Sequence, residues 1–196
     1  MARVLGAVQL ESDDLEGLDA SDRLSRRSQA IWAHRPRSGA AVKTLAKSLA
    51  EEGTLPPRLV ELVRLRIAFH NQCRYCMALR YTDALDDGLT EDMVCSLERP
   101  AEANDLTDAE RSALRFADLF ATNHLAIDDP LLDELRIHFD EGQIVELGAQ
   151  CARLVGFGRL AAVFGVYDDL PERFAGPGTE RFTPWGGDVV IRKGAP

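Results

Sequence analysis

The stretch Glu61–Arg80, ELVRLRIAFHNQCRYCMALR, decides how the rest of the chain is read. It holds a C-x-x-C pair, Cys73 and Cys76, downstream of Glu61 in an otherwise apolar run. Two cysteines three apart near a helix start can close a disulfide with little distortion, and this is the usual spacing of a dithiol that cycles between reduced and oxidised forms. Four arginines (Arg64, Arg66, Arg74, Arg80) and one acid occupy the stretch, inside a chain of net charge −9. Such an electropositive setting lowers a thiol pKa, and the thiolate is the nucleophile.

Helix geometry sharpens the reading. At about 100° per residue, Cys73 and Cys76 project within about 60° of each other, and Arg80 lies about 40° from Cys76. Asn71 is a candidate N-cap, which would put Cys73 in the first turn, where the partial positive charge favours a thiolate. Glu61 does not share that face on one straight helix. A functional Glu61 therefore requires two helices, with a break between His70 and Gln72.

At these residues the chain resembles the alkylhydroperoxidase D / carboxymuconolactone decarboxylase superfamily, whose redox members carry E-x(11)-C-x-x-C-x-x-x-H. Glu61, Cys73 and Cys76 match in identity and spacing, while Arg80 stands at the histidine position. AHRP at Ala33–Pro36, the GTLPPRLVEL approach to the motif and the later FDEGQIVELG stretch extend the resemblance over most of residues 30–168. It implies an all-α, AhpD-like helical bundle that assembles as a homo-oligomer, a trimer or hexamer. The implied activity is thiol-dependent reduction of a small-molecule peroxide. Cys76 attacks, Cys73 resolves the sulfenic acid to a disulfide, a dithiol reductant regenerates the pair, and Glu61 is the relay acid. Arginine cannot accept a proton as histidine does. Arg80 is therefore expected to stabilise the Cys76 thiolate or to bind an anionic substrate. Two alternatives stand beside this: a decarboxylase or lactone-processing enzyme in which Arg66 or Arg80 holds a carboxylate, and a non-enzymatic redox-sensitive oligomer.

Outward from the motif, 196 residues with 45% hydrophobic and 28% charged content describe one soluble globular domain. A pI near 5 argues against a nucleic-acid or anionic-membrane surface. No segment reads as a signal peptide or membrane span, so a cytoplasmic protein is expected. In a reducing compartment a C-x-x-C pair points to chemistry rather than to a structural staple. Zinc normally needs four ligands, and only His70 is close in sequence, so neither metal nor cofactor is expected. Cys95 and Cys151 read as buried small apolar residues. An ion pair with Arg64 or Arg66 is the structural reading of Glu61.

The chain divides into an N-terminal arm (1–25), the helical domain (26–170) and a Gly/Pro-rich arm (171–196) whose Phe182 and Trp185 are expected at an oligomer interface. Helices are predicted over Leu24–His34, from a Ser38 cap to Glu51 or Glu52, Arg58–His70, Gln72–Asp86 and from Thr90 to Leu97. Further ones run from a Thr107/Glu110 capping box to Asn123, from Asp129–Pro130 to His138, and from Asp140/Gln143 to about Tyr167. Glycines in the last of these are expected to let another helix approach closely. VLGAVQL and DVVIR are the only weak strand candidates, and Glu146, in a second VEL, is a candidate buried acid.

Overall fold

The computed structural model describes residues 4, 6–7, 9–11, 13–165, 167–175 and 181–196. Its helices are α1 (Ala20–Trp32), α2 (Pro36–Glu51), α3 (Pro57–Asn71), α4 (Arg74–Met77), α5 (Thr82–Asp86), α6 (Glu91–Ser96), α7 (Asp108–Thr122), α8 (Asp129–Arg136) and α9 (Glu141–Phe164). Two three-residue strands, β1 (Leu79–Tyr81) and β2 (Val190–Arg192), pair in parallel with Leu79 opposite Val190. The fold is mostly helical, and among the described residues no helix is long and apolar enough to cross a membrane.

Helix α3 is the axis. Leu59, Leu62, Val63, Leu65 and Ile67 are buried round its circumference, as an apolar run with no polar face requires. It packs against α7 on one side and α9 on the other. The larger core joins α3 to α6, α7, α8 and α9. A smaller one gathers Leu24 of α1, Met77, Ala78 and Leu79 of the cysteine segment, Leu170 just before the C-terminal arm, and Phe174 and Val190 of the arm itself.

The caps follow local chemistry. Thr107 with Glu110 and Asp140 with Gln143 both form full capping boxes, as the sequence predicts. Helix α8 starts one residue earlier than expected, capped by Asp128, whose carboxylate accepts from the Leu131 N–H. Helix α2 starts at Pro36 rather than after Ser38, because proline's fixed φ and missing N–H suit the first turn. Of the α9 glycines, Gly158 permits close approach: a Cβ there would stand 2.6 Å from Asn71 Nδ2. Gly148 and Gly156 meet nothing within 4 Å, and Gly165, at φ +66°, ends the helix.

The largest departure from expectation is the predicted helix Gln72–Asp86, which is broken into α4, β1 and α5. Three carbonyls that a continuous helix would have bonded internally are taken by guanidinium groups instead. Arg64 holds those of Cys76 and Leu79, and Arg80 holds those of Met77 and Leu79. Released from helical pairing, Leu79–Tyr81 joins the DVVIR segment as a strand. VLGAVQL forms no strand among its described residues.

The C-terminal arm lies on its own chain. Phe174 is fully buried, Trp185 packs on Phe69 at 5.1 Å between ring centroids, and Arg74 stacks on Phe182 at 3.9 Å. Gln72 exchanges hydrogen bonds with the Phe182 backbone in both directions. The arm's aromatics thus find partners within the monomer, and their presence does not of itself call for a neighbouring subunit.

Candidate active site

Helix α3 ends at Asn71, and Gln72 turns the chain in the left-handed region at φ 51°. This is the break that a functional Glu61 demanded. The N-cap of α4 is Cys73, not Asn71. Its sulfur accepts from the Cys76 N–H at 3.3 Å, and it is bonded to Cys76 Sγ, the two Cα atoms 5.2 Å apart. Asn71 instead donates to the Leu154 carbonyl and accepts from Arg159, tying α3 to α9. The two sulfurs are not equivalent. Cys73 is wholly buried, whereas Cys76 is half-buried and lines a cavity of about 320 Å³.

Behind Cys76 stands a buried ion pair. Glu61 is fully buried and accepts two bonds from Arg64, 2.6 Å to Nε and 2.7 Å to Nη2. The remaining Arg64 donors reach the carbonyls of Cys76 at 2.5 Å and Leu79 at 2.9 Å. Burial alone would lower the Arg64 pKa, but the Glu61 carboxylate outweighs it and raises the guanidinium above its ordinary value. Arg64 thereby links the buried acid of α3 to the backbone of the second cysteine.

The cavity lies between α1, α2 and α9 on one side and the cysteine segment on the other. Trp32, Val42, Phe157 and Phe164 supply much of its apolar wall, and its cations are Lys43, Arg64, Arg153 and Arg192. Among the described residues, no Asp or Glu lines it. Tyr75 and Tyr81 sit among the cations. Arg192 donates to the Tyr75 hydroxyl at 3.0 Å, and Arg64 lies over the Tyr81 ring at 5.2 Å. Burial raises the Tyr75 pKa against the pull of Arg192, so this phenol is neutral at physiological pH.

The structure brings Glu61, Cys73 and Cys76 together and leaves Arg80 apart. Arg80 is fully buried, but it forks onto Glu91 of α6 at 2.8 and 3.1 Å and donates to the carbonyls of Met77, Leu79 and Pro184. It does not line the cavity. The helical projection that set Arg80 beside Cys76 fails because the helix ends at Met77 and β1 turns the side chain to another face. Arg66 is likewise structural, paired with Asp118 of α7, whose carboxylate also lies 2.6 Å from His70 Nε2. Glu146 is not a buried acid of the site; it accepts from Thr54 and Leu55 at the α2–α3 turn. Among the described residues no cluster of His, Cys, Asp and Glu is arranged to hold a metal.

Sequence reasoning met Arg64 as one of four arginines around the cysteine pair and as a candidate partner of Glu61, and the structure makes that i, i+3 ion pair. It missed Tyr75, Tyr81, Arg153 and Arg192 as cavity residues. The last two reach the site from α9 and from the C-terminal arm, and nothing in their local pattern signals it.

Residues 36–119 match the carboxymuconolactone decarboxylase family. An uncharacterized protein of Mycobacterium tuberculosis strain H37Rv is 36% identical over 119 residues, which is 59% of this chain and 41% of the relative. The match thus spans about two fifths of that mycobacterial protein. The uncharacterized protein YnjA of Escherichia coli K12 is 28% identical over 117 residues, 60% of this chain and 62% of that one. Among solved structures, the alkylhydroperoxidase AhpD core of an uncharacterized peroxidase-related protein from Ralstonia eutropha JMP134 superposes with a TM-score of 0.63 at 20% identity, over 88% of this chain and 94% of that one. The debrominase Bmp8, in its apo form, gives 0.64 at 18% identity over 85% and 92%. These two share the fold.

Proposed function

We propose that this chain, whose residues 36–119 match the carboxymuconolactone decarboxylase family and whose helical fold is AhpD-like, is a dithiol-dependent peroxidase. The observation that carries the reading is the asymmetry of the pair: Cys76 faces a cationic cavity while its bonded partner Cys73 is buried behind it. A nucleophile needs access to substrate; a resolving thiol needs only reach.

In the proposed cycle the Cys76 thiolate attacks the terminal oxygen of ROOH. The O–O bond breaks, RO⁻ takes a proton and leaves as ROH, and Cys76 becomes a sulfenic acid. The Cys73 thiol then displaces water to form the disulfide, and an external dithiol reduces it by exchange. The sum is ROOH plus dithiol giving ROH, water and a disulfide. Guanidinium groups stabilise the thiolate but accept no proton. Activation here is therefore electrostatic rather than by a histidine base. Glu61 is a positioning residue: it fixes Arg64, whose guanidinium holds the Cys76 carbonyl.

The test is consumption of cumene hydroperoxide with dithiothreitol as donor. Turnover above the donor alone is expected. Cys76→Ser should abolish it, and Cys73→Ser should leave a sulfenic acid on Cys76 that dimedone traps. Wild-type protein no faster than free donor would overturn the reading. Decarboxylation of a small carboxylate is the second reading, favoured by the cationic lining, and carbon dioxide release that survives Cys76→Ser would establish it instead.

A further inference from the structure

The cavity carries a charge imbalance that persists when Cys76 is held in its disulfide and bears no charge. Arg64 is neutralised by Glu61, but Arg153 and Arg192 make no ion pair with an Asp or Glu side chain among the described residues. Arg153 donates to Gln150 Oε1, 2.8 Å from Nη2, and to the Pro196 carbonyl oxygen at 3.4 Å. Arg192 donates to Tyr75, to the hydroxyls of Ser21 and Ser25, and to the Ser21 carbonyl. The side-chain partners of both are neutral. Tyr81 is their common neighbour, with Arg192 6.0 Å from its ring centre. Burial, together with repulsion from Arg64, pushes the Arg153 guanidinium below its ordinary pKa despite the favourable field of Tyr81.

Cations gathered beside a low-dielectric wall, with no acidic side chain among the described lining residues, repel one another and attract an anion. The rest of the wall is apolar, with Trp32, Phe157 and Phe164 on it. At about 320 Å³ the space is near the lower end for ligand pockets, which run from about 300 to 1,000 Å³. A phosphate dianion would have to shed a strong hydration shell against that wall. A carboxylate on an apolar body suits both parts, its head forked on a guanidinium and its body removed from water.

We propose that the cavity binds a small organic carboxylate, its head held by Arg153 and Arg192 and its apolar body against Trp32 and Phe157. The peroxide this enzyme prefers is then one that carries a carboxylate, which passes through the O–O cleavage unchanged. The reaction half of this inference rests on the peroxidase reading; the binding half does not.

Calorimetric titration of the full chain with 4-phenylbutyrate and with 4-phenylbutanol separates the two. The acid should bind at least about tenfold tighter than the alcohol, and Arg153→Gln with Arg192→Gln should bring the ratio to within about twofold. The ratio of kcat/KM for 4-(2-hydroperoxypropan-2-yl)benzoate over cumene hydroperoxide should show the same preference and the same collapse. The wild-type ratios need no variant to fold. Equal affinity for acid and alcohol overturns the inference even where cumene hydroperoxide is turned over. Acid-selective binding with neither hydroperoxide consumed supports the carboxylate site and overturns the peroxidase reading instead.

Discussion

Each cysteine takes its character from where the fold puts it. Cys151 is buried on α9, and burial alone pushes its thiol up to about 12. Cys95 is exposed. Iodoacetamide at pH 8 should therefore label Cys95 in the native protein and reach Cys151 only after unfolding, as peptide mass spectrometry would read. Early labelling of Cys151 would mean that α9 opens locally. Glu61 and Arg64 obey a harsher rule, since each is buried and the other is its counter-charge. Removing one partner of such a pair costs about 3–5 kcal/mol, whereas replacing both with apolar residues of similar volume is often neutral. Arg64→Met should thus lower the urea midpoint sharply, and Glu61→Leu/Arg64→Met should recover most of the loss. Failure to recover would show that the bonds from Arg64 to the Cys76 and Leu79 carbonyls dominate.

Elements are joined here by arginine as much as by apolar contact. Arg80 ties the cysteine segment to α6 and to the arm at Pro184. Arg80→Ala leaves the Met77 and Pro184 carbonyls without that donor, and at about 1–3 kcal/mol for each buried group a loss of about 2–6 kcal/mol is expected in chemical denaturation. Arg80→His should add no imidazole step to the pH profile of Cys76 alkylation, because position 80 does not face the sulfur. A new step near neutral pH would restore Arg80 to the site. Between α3 and α7 the tie is Asp118. Burial pushes its carboxyl up, but hydrogen bonds from His70 and Arg66 outweigh this and hold it below the usual carboxylate range. A depressed folded pKa gives stability that is full above the ordinary aspartate value, about 3.9, and is lost as pH falls through the folded value. The urea midpoint of the wild type should therefore fall on acidification below about pH 4, and Asp118→Asn should be weaker at neutral pH and flatter across that window.

For the molecule as a whole, the C-terminal arm is part of the domain. It supplies Phe174 and Val190 to the smaller core, β2 to the sheet and Arg192 to the cavity. Removing residues 181–196 should lower the thermal midpoint, and it should also abolish the preference for 4-phenylbutyrate. Differential scanning fluorimetry and the calorimetric titration read these separately. A shortened chain that melts like the full one would show that the arm adds nothing to the core. We carry homo-oligomeric assembly, trimeric or hexameric, as a proposal for light scattering, without the arm's aromatics as its rationale.

Much of this was legible in the chain. The spacing of Glu61, Cys73 and Cys76, the need for a break near Gln72, the capping boxes at Thr107 and Asp140 and the all-round apolar α3 follow from near-neighbour rules, because caps and helical faces are decided by residues within a turn or two. Arg80, Arg153 and Arg192 lay outside that reach. Whether a guanidinium points at a sulfur, a glutamate or a carbonyl is settled by which elements meet, and β1 exists only because β2 returns from more than a hundred residues away to pair with it. The sequence determined the C-x-x-C pair and the helices that present it. Only the tertiary structure decided which cations surround that pair, since desolvation and counter-charge act through space and leave no local pattern in the chain.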